Sequence, residues 1–193
     1  CASPFPLMEP RDGAERDALG CLSVFAGGFS SESAEAVLAA PGLDVVARLR
    51  QKSWLSAREL DLGDIRLSVS NSVRDFVRRR ADPLALASAR SRHALWFAAW
   101  ATDWAHSAQS LDRERKNLES VLESVLDSGP MTAQRAEPAL RVLVGLYAHS
   151  REPPPARYLA LLEPVLDRTR DSGADPRLLA EALLVSGTAR RHA

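Results

Sequence analysis

The sequence predicts a mainly α-helical fold with one β-hairpin. Apolar residues recur at three- and four-residue steps through most of the chain, the period of a helix with one buried face. Strict apolar–polar alternation occurs over Ile65–Val69, the period of a half-buried strand. Proline and glycine fall mostly between the periodic stretches and punctuate them.

Taken in order, residues 1–14 hold Pro4, Pro6, Pro10 and Gly13 and read as a tail or linker. From Glu15, Leu19, Leu22 and Phe25 mark a first helix, which Gly27-Gly28 stops. Ser30 or Ser31 caps a second helix reaching about Ala40, with Ala34, Val37 and Leu38 inward. After the Pro41-Gly42 turn, Val45, Val46 and Leu49 share one face of a third. Trp54–Leu60 is a weaker strand candidate than Ile65–Val69, and residues 61–64 form the hairpin loop between them. Ser72 and Asp75 have capping-box spacing and open a fourth helix, with Val73, Phe76 and Val77 inward. Three short helices, a hairpin and a closing helix make a winged helix over 15–82.

Beyond Asp82-Pro83, an N-cap and N1 proline, only helix signals follow. A long helix is expected from Pro83 to about Ser110, with Leu84 packed back on the closing helix. Others are expected over Asp112–Asp127, Pro138–Ser150, Ala156–Arg170 with a kink at Pro164, and from Pro176. Antiparallel helices with short breaks read as a bundle or the start of a tetratricopeptide-like solenoid over 83–193. The spacing of Pro138 and Pro176 lies near the ~34-residue tetratricopeptide period, but not on it.

Composition narrows the function. The 193 residues are 46% hydrophobic and 26% charged, with 25 basic and 25 acidic side chains. A net charge of zero argues against nucleic-acid binding by bulk charge and against a polybasic membrane anchor. No apolar run reaches the ~18 residues of a membrane span, and Cys1–Pro10 lacks signal-peptide character. A cytoplasmic location is expected. The first residue is not Met, so the chain is expected to be part of a larger protein. Arg supplies nearly all positive charge, with Lys only at 52 and 116, which reads as coding bias in a GC-rich genome.

Leu22-Ser23-Val24-Phe25-Ala26-Gly27-Gly28-Phe29-Ser30, followed by Ala34-Glu35-Ala36-Val37, closely resembles a signature of bacterial STAND-type regulatory ATPases. These include AfsR-like and LuxR/MalT-like transcriptional regulators. Further similarities follow in order. Val46-Ala47-Arg48-Leu49 with Lys52-Ser53 resembles the family's third helix. Arg66-Leu67 with Val73-Arg74-Asp75-Phe76 resembles its strand-to-helix passage, and Arg92-His93-Ala94 with Phe97 its "R-H-A-x-Y-F". Leu111-Asp112 with Asn117-Leu118 resembles the start of its helical repeats. The resemblance covers about Glu15 to Asp127. It departs at Ser70-Asn71, where the family usually has Leu-Glu, and at Trp100 and Trp104, where the family is Ala- or Glu-rich. It implies a winged helix following a nucleotide-binding domain of the same chain, and a helical region that senses a protein or small-molecule inducer. The G-x-x-x-x-G-K-[ST] phosphate loop occurs nowhere in these residues, so no ATP hydrolysis and no cofactor are expected here.

Two groups of side chains are candidates for contact. Trp96, Trp100 and Trp104 fall at i, i+4 and i+8 on one helical stripe, an aromatic partner groove or, preferred, a core seam. Arg48, Arg50 and Lys52 on the third helix, with Arg78, Arg79 and Arg80, could contact DNA or a neighbouring domain. Between Glu15 and Asp82, however, basic and acidic residues balance at ten each. His93, His106, His149 and His192 have no metal-ligand spacing, no catalytic triad motif occurs, and Cys21 reads as an inert thiol on an apolar face. The acids read as solvating polar faces. The expected function is a non-catalytic regulatory or sensor segment of a STAND-type signalling protein. The alternatives are a DNA-binding winged-helix regulator with a helical dimerisation or sensor arm, and a helical-repeat interaction scaffold attached to a kinase or other effector.

Overall fold

The computed structural model describes residues 12–38, 42–60, 64–103, 108–127, 129–148 and 156–191. The fold is mainly helical with a small two-stranded antiparallel sheet. The chain divides into two compact units, Cys1–His93 and Ala94–Ala193. Among the described residues, no helix is long and apolar enough to cross a membrane.

In the first unit, α1 (Gly13–Leu22), α2 (Ser31–Leu38) and α3 (Leu43–Gln51) precede β1 (Ser56–Glu59), β2 (Ile65–Ser68) and α4 (Asn71–Arg78). α1 packs against α2, α3 and α4. Its buried Ala18, Leu19 and Leu22 meet a core that includes Phe25, Phe29, Val37, Leu49 and Val77. The strands pair in register from Ser56↔Ser68 to Glu59↔Ile65. Residues 61–63 of the expected hairpin loop lie outside the described residues. The other edge of β2 is occupied by Phe29, whose N–H and C=O each bond to Leu67 at 2.8 Å.

α1 ends earlier than the periodicity of Leu19, Leu22 and Phe25 suggests. The Ser23 hydroxyl donates to the Gly20 carbonyl, and Arg78 Nη2 donates to the Ser23 carbonyl at 2.6 Å. With its last carbonyls satisfied, the helix stops before Gly27-Gly28, and Phe25 enters the core from a turn. Ser30 caps α2 reciprocally with Ser33, each hydroxyl accepting from the other's backbone N–H. Residues 39–41, the expected end of that helix and its turn, lie outside the described residues. α4 is capped by Ser70, which accepts from Val73 N–H, and not by Ser72. Both serines precede the same apolar residues, and the extended backbone of Ser70 decides between them.

α5 (Pro83–Thr102) begins as expected, with Asp82 accepting from Ala85 N–H. It ends near Thr102 and does not continue to Ser110. A 3.2 Å bond from Asp103 N–H to the Trp100 carbonyl tightens its last turn, and Thr102 Oγ1 donates to the Ala99 carbonyl. Leu84 is 80% exposed and does not pack on α4; Leu86 lines a small cleft that Phe76 and Val77 also line.

In the second unit, α6 (Ala108–Ser124), α7 (Ala133–Ala148), α8 (Ala156–Thr169) and α9 (Pro176–Arg191) follow the end of α5. α6 packs on α7 and α8, and α7 on α8 and α9, while α8 also meets α9. α6 and α7 therefore each touch the next helix and the one after it. α6 starts before Asp112, which pairs with Arg115 on its surface. Pro138 lies inside α7 and is buried, where N1 was expected. Arg135 and Ala136 N–H both bond to the Thr132 carbonyl, so the helix starts a turn before the proline. The Pro138–Pro176 spacing therefore does not measure a repeat. Pro164 lies inside α8, and Asp175 caps α9 by accepting from Arg177 N–H.

Candidate functional site

Arg48 of α3 and Lys52 at its C-cap are turned onto α1. Glu15 is 1% exposed, and its carboxylate accepts two bonds from Lys52 Nζ, at 2.6 and 2.8 Å. Arg48 Nε lies 3.5 Å from the same carboxylate, an electrostatic contact without a hydrogen bond. One buried charge thus holds two half-exposed cations from the helix that would read DNA. Arg50 on the same helix is exposed. The sequence reading missed Glu15 by treating the acids as solvating. Its place one turn before Ala18 and Leu19, on the apolar stripe of α1, is the signal for a buried acid with a partner.

The basic run closing α4 is divided among three roles. Arg78 is half-buried and engaged with Ser23, and burial lowers its guanidinium from its ordinary range, with Arg74 and Arg90 acting in the same direction and Asp75 opposing. Arg80 stacks over the Phe76 ring, 3.9 Å from its centroid. Arg79 is exposed. Of the six candidate cations, Arg48 and Arg78 are half-buried, and Arg50, Lys52, Arg79 and Arg80 are exposed.

Beside them, Arg16, Asp17, Cys21, Phe76, Arg80 and Leu86 line a small cleft of 50 Å³. Cys21 is half-buried, and its thiol is raised by burial, against the lowering influence of Arg92. A thiol raised this way stays protonated at neutral pH and is a poor nucleophile.

The aromatic candidates are phased differently from the expected seam. Ala89, His93, Phe97 and Ala101 form the buried stripe of α5, while Trp96 and Trp100 are half-buried. Trp104 lies outside the described residues. The buried stripe is one residue out of step with the tryptophans, so Trp100 is not a fully buried core residue. His93 is 4% exposed and meets the Phe25 ring edge-on at 5.1 Å, while Phe25 stacks on Phe29 at 4.3 Å.

In the helical unit several polar side chains join the helices or pair within them. Tyr158 donates to the Leu143 carbonyl at 2.8 Å. The fully buried Asn117 donates to Glu114 at 2.9 Å within α6. Arg157 of α8 pairs with Glu119 and Glu123 of α6. Among the described residues, no group of three or more His, Cys, Asp or Glu side chains could hold a metal ion. His106, His149 and His192 lie outside them. No family model, curated protein or solved structure matches the chain.

Proposed function

We propose that the chain is a non-catalytic regulatory segment of a STAND-type signal-transduction protein, with a winged helix over 15–82 and a tetratricopeptide-like helical region over 83–193. The observation that carries the reading is the Gly28-Phe29 passage. In a winged helix, a short extended stretch between the first two helices pairs with the second strand of the hairpin. Phe29 pairs with Leu67 in this way, within the segment that resembles the family signature. The α6–α8 and α7–α9 contacts support the second half, since stacked helical hairpins bring together helices two apart in sequence.

On this reading the first unit restrains an upstream nucleotide-binding domain in the cytoplasm, and the helical unit takes a protein or small-molecule inducer near Trp96 and Trp100. The occupation of Lys52 and Arg48 by Glu15 favours this over DNA recognition through α3. Sequencing the reading frame upstream of Cys1 is the test. A nucleotide-binding domain with a phosphate loop is expected. A kinase or other effector domain in its place would overturn the reading in favour of a scaffold.

A further inference from the structure

α9 turns small side chains inward and two of its four leucines, Leu183 and Leu184, outward. Its buried residues are Ala182, Ser186 and Ala189, which bring it against its neighbours. Its opposite face carries Leu184 at 70% exposure, flanked by Leu183 at 47%. Arg177, Glu181, Leu184, Thr188 and Arg191 recur at three- and four-residue steps along that face, the spacing of a helix–helix seam. Beside Leu184, a side chain at Gly187 would meet no atom within 4 Å. Residues 182–189 contain no charge.

We propose that this face of α9 binds the α9 of a second copy of the same chain, antiparallel, forming a two-fold dimer. The face is complementary to itself in one register. With the two helices crossing level with Ser186, Leu184 of one copy drops between Gly187 and Thr188 of the other. Glu181 then lies opposite Arg191, and the two-fold repeats both contacts. No like charges meet in that register. The opposite end of the seam supplies the knob, the open glycine supplies the hole, and the acid and base fix the antiparallel sense. A single helix face buries less than the ~1,200–2,000 Å² of a standard interface, so the association is weak and concentration-dependent. The inference does not depend on the regulatory reading.

Sedimentation equilibrium of the chain from 1 µM to 1 mM, about the span of a weak complex, tests it. Wild type is expected to pass from monomer to dimer. Leu184→Glu is expected to weaken dimerisation at least ~10-fold, about 1.4 kcal/mol, with unchanged circular dichroism and melting temperature, because Leu184 is mostly exposed in the monomer. Glu181→Arg is expected to weaken it several-fold, and Glu181→Arg combined with Arg191→Glu to restore it. A monomer throughout the range overturns the proposal. So does a dimer indifferent to Leu184→Glu, or one that the charge reversal fails to rescue.

Discussion

Two glycines show how one missing side chain sets the packing. At Gly28, an added Cβ would lie 2.8 Å from Arg66 Cγ and 3.1 Å from the Leu67 carbonyl oxygen, so glycine is what lets the chain run against β2. At Gly145, in the middle of α7, the Cβ would lie 2.3 Å from the Ala101 carbonyl oxygen, a backbone atom that cannot swing aside. Helix propensity alone would make Gly145→Ala stabilising by about 1 kcal/mol. Overpacking against backbone costs about 1–3 kcal/mol and is expected to win. A lowered urea midpoint checks this; a raised one would mean that α5 and α7 can separate freely. Tyr158 gives a pH effect at the same scale. Burial raises its phenol above the ordinary range, so the folded state holds the proton more tightly than the unfolded state. The resulting stability is complete below about pH 10 and is lost as pH rises beyond it towards the folded value. Tyr158→Phe is expected to cost about 1 kcal/mol at neutral pH through the lost bond to Leu143. It should also flatten the alkaline fall in the denaturation midpoint. An alkaline limb identical in both proteins would contradict the assignment.

At the scale of elements, arginines finish the helices. Arg78 donates to Ser23 at the end of α1, Arg92 Nε to Val37 in the last turn of α2 at 2.6 Å, and Arg135 Nη2 to Ser124 at the end of α6 at 3.0 Å. The carbonyls there have no intrahelical partner and carry the negative end of the helix dipole, so a cation with several donors suits them. Arginine richness that reads as coding bias therefore has a structural use in this fold. Arg92 also donates from Nη1 to Ser88 at 2.6 Å, a forked contact that a single ammonium cannot copy. Arg92→Lys is expected to destabilise the first unit by about 1.5–3 kcal/mol, the worth of a charge-assisted bond. Thermal denaturation followed by tryptophan-independent far-UV dichroism checks it, with no change counting against the capping role. These contacts were not legible from sequence, because they join residues up to 55 positions apart. Local caps were legible: Asp82, and Ser30 as one of two adjacent serines, cap within their own turn, where spacing defines the geometry.

For the whole molecule, no phosphate loop occurs among the 193 residues, and calorimetry with ATP and Mg²⁺ on this chain is expected to give no measurable binding. A micromolar dissociation constant would require a nucleotide site of a different kind. The helical class, the hairpin at Ile65, most helix starts and the inward side of α1 to α3 were determined by the sequence itself, because periodicity and capping are local and each residue reports its own neighbours. The tertiary structure alone decided which of two adjacent stripes of α5 is buried, since Trp96 and Trp100 lie only one position from Phe97 and Ala101, within the error of a periodicity argument. It also decided that Pro138 sits within α7, where the helix start depends on bonds to Thr132 and not on the proline. Lastly, it decided that Glu15 holds Lys52. Ion pairing is set by distance in space, and a separation of 37 positions leaves no trace in spacing or composition of which cation meets that acid.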